Sequence, residues 1–410
     1  MIAGLCSPKP PVPLCATGAT ALLAPFGHLG LQVICTSGPY SSMLTPGFAT
    51  AEGTARFRTR HESRMPGHYR ASDGLWISTI GLGTYLGEPT AACDQQYEEA
   101  VARAVALGVN HFDSAINYRH QRSERSIGAA LRTMFEAGSV ARDEIVIATK
   151  GGFFTFDGDA PPDPAAYFQE NLVATGLIQP EDVAAGCHAM SPAYLANQID
   201  QSRKNLGVET IDIYYVHNPE TQLSDCSPDE FYRRLRLAFE ALEAAVAAGK
   251  IQCYGTATWN AYRVVSTSQD AVSLEKVLHT AEEAGGTSHH FRAVQLPFSL
   301  AMPEALAART QPWQGSSVSV LDIAQAAHLA VFSSASIMQG HLSQGLPAEI
   351  RHYFPALSTD AQCAIQFVRS TPGVTCALVG MSRREHVEEN MVTAKVPPLT
   401  SKEFRALFAR

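Results

Sequence analysis

The feature that most constrains the fold is an alternation, from residue 65 onward, between short β-branched or apolar runs and longer stretches of helical period. This alternation is typical of a parallel sheet wrapped by helices. Eight of the runs qualify as strands. They are Ile77–Thr84, Val109–Ala115, Glu144–Lys150, Thr210–His217, Ile251–Ala257, Arg292–Phe298, Leu329–Ser334 and Cys376–Met381.

Helix candidates lie between these runs, and several are rich in alanine and end near Gly or Pro. They include Tyr97–Leu107, Glu124–Phe135, Pro192–Leu206, Glu230–Ala248, Leu274–Ala284 and Asp360–Ser370. Strands and crossovers in this number close into a (β/α)8 barrel, so we predict an α/β fold, a TIM barrel in a single domain. The alternative is an open doubly wound sheet, whose dinucleotide site needs a three-glycine turn after the first strand. That turn is absent here, because the first run supplies only Gly81 and Gly83.

Residues 1–64 differ in character from the rest of the chain. They are rich in Ser, Thr, Ala, Gly and Pro, and their only acidic residues are Glu52 and Glu62. Such a composition is typical of organelle transit peptides, but equally of a disordered extension that precedes a start at Met65. We therefore expect an N-terminal extension over 1–64 and the barrel over 65–410. The predicted location is the cytoplasm, or an organelle if the extension is a transit peptide.

Charge and cysteine usage exclude several classes of protein. The formal net charge is −8 and no run is rich in Lys or Arg, so we predict no nucleic-acid partner. Pro13 and Pro25 interrupt the apolar stretch near the N-terminus, so no segment is long enough to span a membrane. Nine scattered cysteines without a C-x-x-C pair indicate a reduced compartment and no metal site. His289 and His290 lack partners at metal-ligand spacing, and we interpret them as loop residues.

One connection is unusually long. It runs from Gly151 to about Ala189, after the third strand, and contains Pro161-Pro162-Asp163-Pro164. Long loops in compact domains are usually functional or disordered, and barrel active sites are built where strands end. We therefore expect this long connection to cover the substrate.

Four polar residues lie at or just past the ends of three consecutive strands: Asp113, Tyr118, Lys150 and His217. In a barrel these ends meet at one mouth. Carbonyl reduction suits them, because a hydride arriving at the carbon builds negative charge on oxygen that a nearby acid must neutralise. Each residue taken singly is more often a cap, a rim contact or a satisfied core group. The ordered set of four is far more specific.

The roles within this set follow from ordinary acid strengths. A tyrosine hydroxyl has a pKa of about 10, and a lysine ammonium a few ångströms away lowers it by roughly 1–3 pKa units. We therefore expect Lys150 to lower the pKa of Tyr118, the proton donor. Asp113 would keep the buried Lys150 charged, and His217 would hydrogen-bond the same carbonyl oxygen.

The segment Gly108–Tyr118, followed by Ser123–Gly128, resembles the signature region of the aldo-keto reductases, and the resemblance extends over Leu75–Asn390. In that family the matched Asp, Tyr, Lys and His form a catalytic tetrad. The family binds NADPH, sometimes NADH, across the barrel mouth without a Rossmann fold. The resemblance thus implies an NADP(H)-dependent oxidoreductase that reduces a small-molecule aldehyde or ketone, or oxidises the alcohol.

The resemblance also implies where the cofactor lies. Gln295 matches the glutamine that holds the nicotinamide carboxamide, and Gly380–Asn390 resembles the adenosine-phosphate motif. A helix N-terminus and a serine hydroxyl suit a phosphate, and either neighbouring arginine suits a 2′-phosphate. The implied cofactor-binding residues are Gln295, Ser334, Gly380, Ser382, Arg383, Arg384, Glu389 and Asn390.

The chain also departs from the family pattern. Ala257-Thr258 stands where Ser-Asn is frequent, Ser334 where a tyrosine often stacks on the nicotinamide, and Gly380 where a lysine often approaches the 2′-phosphate. The preference for NADP over NAD therefore depends on the arginines. Trp259 either lines the pocket or packs at the rim. Two other functions stay open: a cofactor-sensing subunit of a membrane channel, as some relatives are, and a Schiff-base lyase with Lys150 as nucleophile.

Overall fold

The computed structural model describes residues 44–408, and eight parallel strands in it form the predicted closed barrel. All its strands are β1 Tyr69–Ser72, β2 Leu75–Ser78, β3 Ile80–Gly83, β4 His111–Asp113, β5 Val146–Gly151, β6 Ile211–His217, β7 Ile251–Ala257, β8 Phe291–Pro297, β9 Gln311–Trp313, β10 Ser316–Val318, β11 Ala330–Ser334 and β12 Cys376–Gly380. Around the barrel they run in the order β11-β12-β3-β4-β5-β6-β7-β8. The TIM-barrel prediction is confirmed.

Helices return the chain from the end of one barrel strand to the start of the next. The α-helices of the described residues are α1 Ala51–His61, α2 Ala91–Ala106, α3 Arg122–Glu136, α4 Pro164–Phe168, α5 Pro192–Leu206, α6 Pro228–Ala247, α7 Leu274–Gly285, α8 Glu304–Ala307, α9 Val320–Ala326, α10 Ala348–His352, α11 Asp360–Ser370, α12 Arg384–Met391 and α13 Ser401–Ala406. Helix α1 precedes the first barrel strand, and α12 and α13 follow the last one. Local signals set their ends: Thr90 and Ser227 cap the N-termini of α2 and α6, and left-handed Gly207 ends α5. Among residues 44–408, no helix combines the length and apolar character that a bilayer crossing requires.

The predicted first strand, Ile77–Thr84, is two strands in the structure. Its first half belongs to β2, which pairs antiparallel with β1, and its second half is barrel strand β3. The Asn110 side chain accepts from the backbone N–H of Ser78 at 2.8 Å and so holds β2 against the barrel. Ile77 packs in the same cluster as the barrel interior, so the hairpin covers the N-terminal end of the barrel.

Residues 44–64, which the sequence places in the N-terminal extension, pack on the barrel. Phe57 of α1 is 1% exposed and belongs to the main core. Arg60 donates to both oxygens of the buried Glu144, at 2.6 and 2.8 Å, and the N–H of Ala49 donates to Asp212 at 2.7 Å. Residues 1–43, on which the transit-peptide interpretation also depends, lie outside the described residues.

Beyond their first residues, the barrel strands alternate between two apolar clusters. In β5, Val146 and Ala148 lie in the cluster inside the barrel, whereas Ile147 lies in the cluster between strands and helices. In β6, Ile213 and Tyr215 point inward in the same way. Because side chains along a strand alternate between the two faces, the last inward position of each strand faces the mouth. These last inward residues are Gly83, Asp113, Lys150, His217, Ala257, Gln295, Ser334 and Gly380.

The long connection after β5 is present as predicted, but it is not a structureless loop. It contains α4, whose N-terminus Asp163 caps, and further short helical turns. Its two ends pair where Phe153 bridges to His188. Between them it packs against the turn before α3, where the N–H of Gly158 donates to the carbonyl of His120 at 2.9 Å.

Candidate active site

Strand periodicity brings three of the four predicted catalytic residues together. Asp113, Lys150 and His217 are each the last inward residue of a barrel strand, and their exposed fractions are 4%, 1% and 8%. Asp113 and Lys150 form a buried ion pair, with Lys150 Nζ 2.6 Å from Asp113 Oδ1 and 2.6 Å from the carbonyl oxygen of Ser114. The pairing of Lys150 with Asp113 that the sequence predicts is therefore present.

Gln295 completes the hydrogen bonding of the same carboxylate. Its Nε2 donates to Asp113 Oδ2 at 2.7 Å, so both oxygens of Asp113 have a donor. Burial raises the pKa of Asp113, and the Lys150 ammonium opposes that rise. Burial likewise lowers the pKa of Lys150, and Asp113 opposes that fall. A buried ion pair with satisfied oxygens is the arrangement in which both charges persist away from water.

Tyr118 reaches the mouth from a turn rather than from a strand. Its ring centroid lies 4.9 Å from Lys150 Nζ, and its ring meets that of His217 edge-on at 5.7 Å. The three residues that follow it, Arg119, His120 and Gln121, have φ of 50°, 54° and 72°. This left-handed conformation is unfavourable for residues with a Cβ, so side-chain contacts must hold it.

The contacts that hold this turn come mainly from Arg119. Its guanidinium pairs with Asp94 of α2, and its Nε donates to the carbonyl of Glu88 at 3.0 Å. Arg122 also pairs with Asp94, at 2.7 Å. Asp94 thereby ties the turn that carries Tyr118 to the neighbouring helix.

The prediction that Lys150 lowers the pKa of Tyr118 is wrong in this structure. Burial is the largest cause and raises the pKa of Tyr118 well above 10, and the charges of Asp113 and Tyr85 raise it further. Asp113 raises the pKa of Tyr118 where Lys150 would lower it, so burial and the Asp113 charge outweigh the neighbouring ammonium. Tyr118 is therefore a neutral phenol, a form that can donate a proton.

His217 is held from behind by a residue of the long connection. His188 Nε2 lies 2.7 Å from the backbone carbonyl of His217, and the Phe153 ring packs edge-on against both imidazoles, at 5.1 Å and 5.0 Å. Burial lowers the pKa of His217 well below 6.5, and the Lys150 charge lowers it further. His217 is therefore a neutral imidazole, which carries one N–H donor and one acceptor nitrogen.

Most of the predicted site residues line one cavity of about 520 Å³ at the mouth of the barrel. Three of the predicted site residues do not line it: Lys150, Arg383 and Arg384. Arg384 is instead paired with Glu388 at 3.0 Å. The predicted residues that line the cavity are Asp113, Tyr118, His217, Gln295, Ser334, Gly380, Ser382, Glu389 and Asn390. Trp259 also lines it.

Two segments of the lining were missed from the sequence. One is the turn after β3, which contributes Thr84, Tyr85 and Leu86. The other is the loop after β11, residues 335–344, which contributes two serines and two glutamines. Both directly follow the last inward residue of a barrel strand, which is the signal that could have found them.

The long connection does not cover the cavity as expected. Phe153 is its only residue in the lining. The rest packs on the outside of the barrel mouth, where Arg125 pairs with Asp157 at 2.5 Å and Gln121 donates to the carbonyl of Phe156 at 3.0 Å. These contacts direct the connection towards α3 instead of across the mouth.

The donor set of the cavity fits the nicotinamide dinucleotide that the sequence implies. Ser334, Ser382 and Asn390, which carry hydroxyl and amide donors, line it together with Tyr118 and His217. Hydroxyl and amide donors suit phosphate oxygens. At Gly380 a Cβ would meet only Leu86, at 3.8 Å, so the wall there leaves room. Over residues 44–408, no group of three or more His, Cys, Asp or Glu side chains could hold a metal ion.

Comparison with known proteins gives consistent matches. A model of the "Aldo/keto reductase family" matches residues 79–282. An L-glyceraldehyde 3-phosphate reductase of Escherichia coli is 24% identical over 375 residues, 83% of this chain and 90% of the relative. Two further relatives are matched over about half of their own length, 47% and 51%.

Two other matches bear on the alternatives. A putative voltage-gated potassium channel subunit beta of Schizosaccharomyces pombe is 23% identical over 251 residues, 60% of this chain and 61% of the relative. An aldo/keto reductase from Klebsiella pneumoniae, solved in complex with NADP and acetate, has a TM-score of 0.54 at 21% identity, covering 84% of this chain and 94% of that one. This last similarity supports the fold.

Proposed function

Because this chain belongs to the aldo/keto reductase family, we propose that it is an NADP(H)-dependent oxidoreductase that reduces an aldehyde or ketone, with Tyr118 as the proton donor. One observation supports the proposal most directly. At one cavity, Tyr118 packs against His217 and against the buried Lys150–Asp113 pair. Membership of this family supports an oxidoreductase.

The proposed chemistry uses each of the four side chains at a stated atom. The neutral phenol of Tyr118 donates its proton to the carbonyl oxygen as negative charge develops there. The Lys150 ammonium, 4.9 Å from the ring, stabilises the phenolate that remains. Asp113 keeps that ammonium charged and fixed, and the neutral His217 donates a hydrogen bond that orients the carbonyl.

A bound nicotinamide would supply the hydride for the carbonyl carbon. Gln295, Ser334, Gly380, Ser382, Glu389 and Asn390 are the residues that would hold the dinucleotide, because they line the same cavity as Tyr118. Arg383 makes no ion pair with any described residue, whereas Arg384 is paired with Glu388. We therefore assign the 2′-phosphate of NADP to Arg383. The relative solved with NADP is consistent with this preference.

The test is to mix the purified chain with NADPH and a panel of aldehydes and ketones and to follow the nicotinamide absorbance. Tyr118→Phe should lower turnover by at least about 100-fold, because it removes the acid and keeps the ring. Its affinity for NADPH, measured by fluorescence, should stay close to that of the parent. Tyr167→Phe, on the long connection outside the cavity, is the matched control and should keep activity.

Two measurements separate the proposal from its two alternatives. Binding of NADPH without turnover across the panel would favour a sensor subunit, the function that the potassium channel relative suggests. A borohydride-trapped adduct on Lys150 would favour a Schiff-base lyase. The burial of Lys150 and its ion pair with Asp113 argue against that lyase, because a nucleophilic amine must be neutral and accessible.

A further inference from the structure

One buried carboxyl group near the site takes no part in the proposed reaction. Glu124, in the first turn of α3, has an exposed fraction of 0%, and it forms no ion pair within residues 44–408. Burying a carboxyl group is unfavourable unless hydrogen bonds satisfy it. The partners of Glu124 therefore show which parts of the protein it holds together.

Both oxygens of Glu124 accept a hydrogen bond from a buried side chain. Thr149 Oγ1 donates to Oε1 at 2.6 Å, and Asn205 Nδ2 donates to Oε2 at 2.8 Å. Burial raises the pKa of Glu124, and these two hydrogen bonds oppose that rise. Thr149 directly precedes Lys150 in β5, and Asn205 lies in the last turn of α5. Glu124 thus joins α3 to the strand that carries Lys150.

Asn205 extends this contact to the turn that carries Tyr118. Its Nδ2 group also donates to Gln121 Oε1 at 3.1 Å, and Gln121 is the last residue of the left-handed run after Tyr118. One amide nitrogen can serve both acceptors, because it carries two hydrogens. Asn205 Oδ1 accepts from Arg125 Nε at 3.1 Å, which fixes the orientation of the amide. The hydrogen bonds therefore run without interruption from Gln121 to Thr149.

These four residues, Gln121, Glu124, Thr149 and Asn205, form a buried polar cluster. Their exposed fractions are 6%, 0%, 0% and 7%, and none of them lines the cavity. The Thr149 side chain points away from the barrel interior, because side chains along a strand alternate and Lys150 points inward. The cluster thus lies behind the barrel wall, out of reach of a substrate. Any effect that it has on the reaction must pass through Tyr118 or Lys150.

The cluster links two groups whose separation matters for proton transfer. Lys150 belongs to a barrel strand, whereas Tyr118 belongs to a turn whose next three residues have an unfavourable backbone conformation. The Tyr118 ring centroid lies 4.9 Å from Lys150 Nζ. Stabilisation of a phenolate by an ammonium falls with distance, so this separation must be held. Burial lowers the pKa of Lys150, and the charges of Asp113 and Glu124 oppose that fall.

We propose that Glu124 is a positioning residue for proton transfer, which holds the turn of Tyr118 in register with the strand end of Lys150. Its hydrogen bonds from Thr149 and Asn205 form the link. This inference rests on the proposed carbonyl reduction for the role of Tyr118. It goes beyond that proposal because it assigns a function to a side chain that touches neither substrate nor cofactor.

The test removes one hydrogen bond of this link from either side. Glu124→Gln and Thr149→Val should each lower kcat for aldehyde reduction by about tenfold, because a small displacement of a reacting group is costly. The affinity for NADPH should stay close to that of the parent. Thr149→Ser keeps the hydroxyl and should retain most of kcat, so it is the matched control for Thr149→Val. If Glu124→Gln fails to fold, the two Thr149 variants carry the test.

A double variant distinguishes positioning from general damage to the fold. In a Tyr118→Phe background, Glu124→Gln should cause no further loss of the residual turnover, because the group that it positions is absent. Multiplied losses would overturn the proposal. Glu243→Gln is the control for loss of a carboxylate. Glu243 accepts from the N–H of His290 at 2.7 Å, at the N-terminal end of the barrel, and its substitution should leave kcat unchanged.

An NMR measurement separates failure of the positioning role from failure of the reductase. The carbon-13 signal of Tyr118 Cζ, assigned with Tyr118→Phe, reports on the surroundings of the phenol. Glu124→Gln and Thr149→Val should shift this signal, and Thr149→Ser and Glu243→Gln should leave it in place.

The outcomes are distinct. If the parent reduces carbonyls but neither Glu124→Gln nor Thr149→Val lowers kcat, the positioning role is overturned and the reductase stands. A lower kcat without a shift of the Tyr118 signal overturns it as well. If the parent reduces no carbonyl, the reductase proposal fails and the signal alone decides: a shift in both variants supports the link, and an unmoved signal overturns it.

Discussion

His188 Nε2 donates to the backbone carbonyl of His217 across 2.7 Å, so a residue at the end of the long connection fixes the strand end that carries a proposed catalytic group. Because Nε2 donates, Nδ1 must accept, and Gln222 Nε2 donates to it at 2.9 Å. Burial lowers the pKa of His188 to about 4, so the imidazole is neutral in the folded protein. His188 is a positioning residue, since it acts on the substrate only through His217.

His188→Ala should therefore lower kcat by about 10- to 100-fold, because a small displacement of His217 misaligns the carbonyl. The affinity for NADPH should change little, and His188→Gln, which keeps an N–H donor, should restore part of the activity. Unchanged kcat in His188→Ala would contradict the positioning role.

The depressed pKa of His188 also predicts that the free energy of unfolding decreases as the pH falls from about 6.5 to about 4. His188→Gln should remove this decrease. His279→Gln, at an exposed histidine, is the control.

The Lys150–Asp113 pair makes a prediction about stability that is separate from catalysis. Lys150→Met leaves Asp113 without its cation inside the barrel and should lower the free energy of unfolding by about 3–5 kcal/mol. Adding Asp113→Asn should recover a large part of this loss, because the uncompensated carboxylate is gone. Urea unfolding of the parent, both single variants and the double variant measures the coupling. Additive losses would show that the two residues do not act as a pair.

Arg383 and Arg384 should differ in their effect on cofactor choice. Arg383→Gln should weaken NADPH binding by about tenfold and leave NADH binding unchanged, because only NADPH carries the 2′-phosphate. Arg384→Gln should have a smaller effect, because Arg384 is already paired with Glu388 at 3.0 Å. Fluorescence titration of both nucleotides against both variants gives the comparison. Equal losses for NADPH and NADH would remove Arg383 from the phosphate site.

Glu220 should make stability depend on pH. Its pKa is raised from 4.5 to about 7 in the folded protein, so between these values the folded state binds more protons than the unfolded state. The contribution of Glu220 to the free energy of unfolding therefore falls as the pH rises from about 4.5 to about 7, by about 3 kcal/mol at most. The measurement is urea unfolding at pH values on either side of this window. The difference between parent and Glu220→Gln should change with pH in that direction, and a constant difference would show that Glu220 does not titrate there.

The N-terminal helix α1 should contribute to the stability of the barrel. Phe57 is 1% exposed in the main core, so Phe57→Ala should lower the free energy of unfolding by about 3–5 kcal/mol. Thr59→Ala, on the exposed face of the same helix, should change it by less than about 0.5 kcal/mol. Thermal or urea unfolding checks both. Equal effects would mean that α1 packs less firmly than its burial indicates.

The barrel could be predicted from the sequence because the period of the apolar residues shows which faces of the strands and helices are buried. The length of the connections shows that helices join successive parallel strands. The same period explains why Asp113, Lys150, His217 and Gln295 are well placed: each is the last inward residue of its strand. The split of Ile77–Thr84 could not be seen, because both halves are apolar and only the side-chain contacts of Asn110 and the pairing with β1 mark the break.

Features that depend on contacts between residues far apart in the chain could not be predicted from the sequence. Burial raises the pKa of Tyr118, and Lys150 is already paired with Asp113. The spacing of these residues along the sequence shows neither the burial nor the ion pair. The path of the long connection follows from its contacts with the turn before α3, which no local signal predicts. Residues 44–64 resemble an appendage in composition, yet Arg60 pairs with Glu144, 84 positions away.

The left-handed run Arg119-His120-Gln121 has a consequence for how the active site can change. Each of the three residues resists this backbone conformation at a cost of about 1–3 kcal/mol, and Asp94, which is outside the cavity, holds the run through Arg119 and Arg122. The position of Tyr118 therefore depends on Asp94, a residue of α2 that does not line the cavity. Substitutions on α2 are a route to move the proposed proton donor without altering any lining residue.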